Sequence, residues 1–320
     1  MRYKCTVSYI GANYDGWQTQ KKNTSIQERI EEVLLRITNE EIIITGSGRT
    51  DAKVNAKGQV FHFDTDLDMS EYKWKGALNG YLPNDIYIED VEKVFDTFHA
   101  RHTVKQKEYE YRIMTKYSVF KKDCALFIPY ELDINKMKEA SKCFMGKHDF
   151  TSFNSSSLVE YPDQVRTIKE ITFNEEENDI IITFKGKGFL RYMVRMMVGA
   201  LIEVGRGKMD INTINDLLNN PSKTAFSKNA EPQGLCLNKV YYFEVLALNE
   251  EGMVREVLDD DVINEGIQYV FTTRNTQEIL GYLEEDKLHV YEEKDMDIAK
   301  SLLDELKIRT NKDITIKSAD

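Results

Sequence analysis

The chain has 320 residues, of which 41% are hydrophobic and 30% charged, and a mean hydropathy of -0.49; that is enough apolar material for a sizeable core and argues against low-complexity or membrane-embedded character. Its 43 Lys and Arg against 54 Asp and Glu give a net charge of -11, but residues 244–320 carry 20 acids and 9 bases while the first 243 residues balance at 34 each, so whole-chain charge excludes no class of partner. Four cysteines without a C-x-x-C pair argue against a disulfide scaffold or a zinc ribbon, and the lack of an apolar leader after Met1 adds to the expectation of a reducing, cytoplasmic setting.

In chain order, Tyr3 to Tyr9 alternates as a strand. Ser25 to Ile37 has apolar residues at helical spacing, with Ser25 or Thr24 as cap and Glu28 placed to close a capping box. Ile42 to Ile44 reads as a short buried strand broken by Gly46-Ser47-Gly48. Gln59 to Phe63 is a further strand and Ser70 to Gly80 a helix. Glu108 to Met114 is a strand, and Asn135 to Met145 a helix ended by Gly146. Ile168 to Phe173 and Asp179 to Lys185 form a strand pair across an acidic turn. Arg191 to Val204 is an apolar helix with Gly205 as C-cap, too short and too charged to span a bilayer. A short helix over Ile211 to Leu218 and a strand over Leu235 to Val245 follow. Similar element orders before and after residue 105 predict a two-lobed α+β body with a cleft, with lobes at 1–105 and 106–245. Residues 246–320 read as an acidic α/β module, with strands over Gln268–Thr272, Leu288–Tyr291 and Ile314–Ile316 and helices over Thr276–Leu283 and Met296–Leu306.

Few stretches carry chemistry. His99 and His102 have helical spacing but no accompanying ligand cluster, so no metal is expected. Neither Gly46-Ser47-Gly48 nor Gly186-Lys187-Gly188 continues as a nucleotide loop, and no Gly-x-Ser-x-Gly elbow occurs. Two basic runs, one including Arg101 and Lys107, the other Lys185, Lys187, Arg191 and Arg195, suit either phosphate contacts or a solvated face paired with acids. Gly46-Ser47-Gly48-Arg49-Thr50-Asp51-Ala52 places an Asp on a loop leaving an apolar stretch; it reads either as a functional loop or as a turn capped by Thr50 or Asp51.

Taken together, several segments resemble the TruA family of tRNA pseudouridine synthases over about residues 1–243. They are Asn13-Tyr14-Asp15-Gly16-Trp17-Gln18, Gly48-Arg49-Thr50-Asp51-Ala52, Leu82-Pro83-Asn84-Asp85, Phe98-His99-Ala100-Arg101, Tyr109-Glu110-Tyr111-Arg112, Gly188-Phe189-Leu190-Arg191-Tyr192-Met193-Val194-Arg195 and Pro232-Gln233-Gly234-Leu235. The resemblance implies the two-lobed pseudouridine synthase fold around a mixed, mainly antiparallel sheet, a homodimer, and neither cofactor nor metal. It also implies isomerisation of flipped-out uridines in the tRNA anticodon arm, around positions 38–40. By position it makes Asp51 the catalytic aspartate, Tyr109 the tyrosine against the uracil and candidate base for the last proton, Arg195 the ion-pair partner holding Asp51 ionised, and Arg49 the residue that extrudes the nucleotide.

After Asp-Ala the family reads Gly-Val-His, whereas this chain reads Lys53-Val54-Asn55. Lysine is poorly suited to a left-handed backbone but adds a charge for a phosphate, and Asn55 can hydrogen-bond without titrating. The expected substrate-binding set is therefore Arg49, Lys53, Asn55, Arg101, Lys187 and Arg191. Two other readings stay open: a synthase acting on another RNA, and a tRNA-binding chaperone without catalysis.

Overall fold

A computed structural model describes residues 1–20, 24–94 and 98–248; beyond these it describes strands at 254–255, 268–273, 279–284, 287–290 and 315–317, with Lys300, Leu303, Lys307 and Ile314. The first strand, β1 (Arg2–Tyr9), buries every second residue, and Tyr3, Cys5, Val7 and Tyr9 enter the core. Helix α1 (Ile26–Thr38) starts at Ser25, whose hydroxyl accepts from the Glu28 N–H; the Glu28 carboxylate pairs with Arg29, so the cap works through its serine half.

The strand expected at Ile42–Ile44 does not form. Ile42 and Ile44 are buried anchors while Ile43 is 74% exposed, and the Ile44 N–H is taken by the Glu31 carboxylate at 3.1 Å. Ladder pairing begins only at β2 (Thr45–Gly46), against β3 (Asn55–Asp64). Helix α2 (Glu71–Tyr81) and β4 (Ile86–Val94) follow, and β4 was not foreseen.

Next come β5 (Val104–Met114), β6 (Leu126–Phe127), α3 (Ile134–Ser141), β7 (Gly146–Asp149), the hairpin of β8 (Val165–Glu176) and β9 (Asp179–Gly186), α4 (Met193–Gly205), α5 (Ile211–Asn219) and β10 (Leu235–Leu248). Gly205 is not the cap of α4 but its last helical residue, where a Cβ would lie 2.7 Å from the Met137 sulfur of α3; the left-handed glycine is Gly207, with φ 69°.

Strands β4, β1, β3, β10, β5, β9, β8 and β7 pair in that order, antiparallel except for the parallel contact of β3 with β10. The sheet is thus mixed and mainly antiparallel, with helices packed on it, as the family resemblance implies. One pairing positions the site. Leu237 of β10 lies opposite Ala56 of β3 on one side and Tyr109 of β5 on the other. Strand β10 therefore sits between the strand leaving the Asp51 loop and the strand carrying Tyr109.

Past residue 242, β10 changes partner. Phe243 to Leu248 pair with β12 (Gln268–Thr273), and Ala247 and Leu248 also with β11 (Val254–Arg255). β12 pairs with β13 (Ile279–Glu284), β13 with β14 (Lys287–Val290), and β14 in parallel with β15 (Thr315–Lys317). The helix expected over Thr276–Leu283 is corrected: residues 279–283 are strand, and 276–278 lie outside the described residues. Ile279, Tyr282 and Leu283 fit a helical stripe, but Glu284 opposite Lys287 closes a hairpin that offers the same segment a ladder on both edges. Of the helix expected over 296–306, only Lys300 and Leu303 are described, both helical. No described helix is long and apolar enough to cross a membrane.

Candidate active site

The loop before β3 is held by backbone bonds from the segment after β1. Trp17 N–H donates to Thr50 O and Lys53 N–H to Tyr14 O, each at 3.1 Å. Gly16, with φ 104°, lies so close that a Cβ there would sit 2.6 Å from Thr50 O. The Thr50 hydroxyl shares a 2.8 Å hydrogen bond with the Tyr9 hydroxyl, and the Ser47 hydroxyl donates to the Gln59 side-chain oxygen at 2.6 Å. This bracing presents Asp51 half-buried at the loop's end.

Arg195 reaches the same point from α4. It is buried, and its Nη1 lies 3.7 Å from the Asp51 Oδ2, an ion-pair distance longer than a direct hydrogen bond. Its Nε donates to Ala230 O at 2.8 Å, and Ala230 N–H returns a bond to Arg195 O at 3.0 Å. The residue before α4, Tyr192, holds a left-handed φ of 62°, a strained conformation for a non-glycine residue. Its ring centroid lies 4.9 Å from the Arg191 guanidinium and 4.8 Å from that of Arg195.

Arg195 and Arg191 both pull the Asp51 carboxyl down, yet burial is the larger effect and leaves it above the usual carboxylate range. Arg195 thus lowers the carboxyl without bringing it below the usual range, since the two guanidiniums do not fully offset desolvation. Tyr109 is buried, edge-on to Phe189 with ring centroids 5.1 Å apart, and its hydroxyl bonds to no described residue. Burial, and after it the Asp51 charge, push this phenol well above its ordinary value, so it stays protonated at neutral pH. A hydroxyl in that state relays a proton rather than acting as a standing phenolate.

The expected binding residues divide. Arg49 is exposed and its Nε donates to Gln18. Arg101 and Lys187 are exposed and have no carboxylate partner among the described residues. Arg191 is exposed beside Asp51, close enough to lower its pKa. Asn55 is different. It is 3% exposed; its Oδ1 accepts from Gly11 N–H at 2.8 Å, and its Nδ2 donates to Asp123 O at 2.9 Å and Gln233 O at 3.0 Å. With the amide spent on three separate segments, it ties the site together and offers nothing to a substrate.

Lys53 is exposed with φ 64°, the left-handed conformation to which the family's glycine at this position is suited. That conformation costs an L residue ~1–2 kcal/mol. A glycine returns ~0.5–1 kcal/mol of this as unfolded-state entropy. Lys53→Gly, which keeps the N–H to Tyr14, is expected to stabilise the fold by about 0.5–1 kcal/mol, read as a higher thermal midpoint.

Four further bases in or next to these runs, Arg112, Lys121, Lys185 and Arg206, are paired with acids. Arg112 and Lys121 both bind Asp179 at 2.6 Å, Lys185 binds Glu170 at 2.7 Å, and Arg206 binds Glu203 at 2.9 Å. His99 is a turn acceptor, its Nδ1 receiving the N–H of Arg101 and His102; no cluster of three or more metal-binding side chains occurs among the described residues. Sequence reasoning missed Tyr111, whose hydroxyl donates to Glu231 O at 2.8 Å and fastens the 230–234 segment behind Arg195. Lys107, which the sequence places in a basic run, lies two residues before Tyr109 in β5 and so on the same face.

The sequence profile of the tRNA pseudouridine synthase family matches residues 6–102 and 140–243. Among curated proteins, the chain is 43% identical over 244 residues to tRNA pseudouridine synthase A 1 of Bacillus cereus, covering 75% of this chain and 98% of that protein. It is 43% identical over 244 residues to tRNA pseudouridine synthase A of a Geobacillus species, with the same two coverages of 75% and 98%. With tRNA pseudouridine synthase A of Listeria monocytogenes the identity is 44% over 246 residues, 75% of this chain and 99% of that protein.

Proposed function

The chain belongs to the tRNA pseudouridine synthase family, and from that premise we propose that it isomerises uridine to pseudouridine in the tRNA anticodon stem-loop through Asp51, Tyr109 and Arg195. The observation that carries this reading is the half-buried Asp51 carboxylate facing the Arg195 guanidinium at 3.7 Å, with the unbonded Tyr109 hydroxyl close enough to feel its charge.

The reaction breaks the bond from uracil N1 to ribose C1′, turns the base and joins C5 to C1′; C5 gives up its proton and N1 ends carrying one, so the product is an isomer and no oxidant or co-reactant enters. Both base and sugar must be reached, which requires the nucleotide to leave the stack. Asp51 supplies the anion that attacks or deprotonates, and Arg195 favours its ionised form against burial. The Tyr109 ring gives the uracil a face, with stacking worth about 1–3 kcal/mol, and its hydroxyl relays the departing proton. Arg49, on the same loop, enters the space left by the nucleotide, while Arg191, Arg101 and Lys187 meet phosphates.

The departures Lys53 and Asn55 do not favour a non-catalytic chaperone, because one is exposed and the other buried in a structural junction, and neither touches the Asp51–Arg195 pair. We read 1–105 and 106–245 as the two lobes, 246–320 as an acidic addition that leaves RNA to the first 243 residues, and the working protein as a cytoplasmic homodimer.

The test is conversion by the purified protein of an unmodified tRNA transcript, with modified positions mapped. Pseudouridine confined to the anticodon arm is the expected result. Conversion only in another RNA would replace the substrate assignment. Tight tRNA binding without turnover would leave a chaperone.

A further inference from the structure

Lys107 is a half-buried cation with no anionic partner among the described residues. It lies on β5 between Gly186 of β9 and Val240 of β10, two residues before Tyr109 and on the same sheet face. Its Nζ donates to Ser47 O at 2.8 Å. It rests so closely on the Asp51 loop that a Cβ at Gly48 would be 2.4 Å from the nitrogen. No described carboxylate pairs with it. Its charged neighbour is Arg101, which repels it, and burial with this repulsion brings it down to about 8. An ammonium has three N–H groups, and one accepted hydrogen bond leaves two directed elsewhere. A desolvated charge in that state is costly until an anion arrives.

Resting on the tRNA synthase reading above, we propose that Lys107, with Arg101, forms the seat for a backbone phosphate flanking the target uridine. The Ser47 bond fixes where the ammonium points, and Gly48, with no side chain, leaves the space in which the lysine's end rests. The seat joins the RNA backbone to the loop that carries Arg49 and Asp51, so the phosphate is gripped by the element that receives the extruded base. Lys107 is a binding and positioning residue and touches no reacting atom.

Binding of an anticodon stem-loop RNA is measured against salt for the wild-type protein and for Lys107→Met, which keeps the side-chain length without the charge. The slope of log affinity on log salt should flatten by about 0.7–0.9 for the variant. Single methylphosphonate replacements along the RNA should weaken wild-type binding at one position next to the target uridine, and that position should not weaken Lys107→Met further. Equal slopes, with both proteins responding alike at every position, would overturn the seat and leave Lys107 as a brace for Ser47. Wild-type protein that binds with the predicted pattern but does not convert uridine would support the seat while overturning the catalytic reading. Conversion without the pattern would do the reverse.

Discussion

Asp51→Asn lowers the single-turnover rate of pseudouridine formation by at least ~10^3-fold while its thermal midpoint stays at or above that of the parent protein. The two halves of this expectation have one cause. Burial raises the Asp51 carboxyl more than Arg195 and Arg191 lower it, so the folded state holds this proton more tightly than the unfolded chain does. A group of that sign contributes most below the unfolded carboxylate range, and its contribution is lost as pH rises through the folded value. At neutral pH the ionised Asp51 therefore works against folding, and a neutral amide of the same shape removes that cost together with the nucleophile. Release of tritium from C5 of a labelled tRNA gives the rate, and thermal unfolding the stability. A variant keeping a tenth of the activity would remove Asp51 from the chemistry. One that unfolds well below the parent would show that the carboxylate is needed for the fold.

Arg195→Met is expected to slow the reaction at pH 7 by about 10^2-fold and to move the acid limb of the rate profile toward higher pH. Arg195 is the largest influence lowering the Asp51 carboxyl, so its removal disfavours the carboxylate, and more alkaline conditions are needed for the same ionised fraction. Arg195→Lys restores a charge but not the Nε bond to Ala230 O, so it should return the limb part of the way while the rate remains below that of the parent. Single-turnover rates across pH for the three proteins test this. An acid limb in the same place for all of them would mean that the guanidinium serves the 230–234 segment and not the carboxylate.

Much of the fold was legible because local signals agreed with the tertiary outcome. Ser25 with the apolar spacing after it marked α1, and the run from Ile168 to Lys185 marked the β8–β9 hairpin. It failed where a short apolar stretch carried no period of its own. Ile42 to Ile44 could equally be strand or anchor, and Glu31, one helix away, decided the matter by taking an N–H. Ile279 to Leu283 satisfied two periods at once, and only its neighbours β12 and β14 selected one.

For the site, Asp51, Tyr109 and Arg195 stand far apart in sequence and come together only through the strand order β3–β10–β5 and the approach of α4, which no local pattern encodes; the family resemblance supplied that link. The bonds that make a junction of Asn55 and seat Lys107 against Ser47 were illegible for a related reason. Their roles are defined by what surrounds them on four other segments, and an isolated Asn or Lys in a sequence carries no mark of enclosure.

The intervening β10 also acts as a ruler. Ala56 and Tyr109 flank Leu237, so two interstrand spacings, about 9–10 Å in all, separate the strand that leaves the Asp51 loop from the one bearing the phenol. That gauge is set by peptide hydrogen bonds, whose lengths hardly vary, and not by how well any apolar side chain fits. Substitutions that loosen either half of the protein can thus weaken it while the width offered to a nucleoside stays the same.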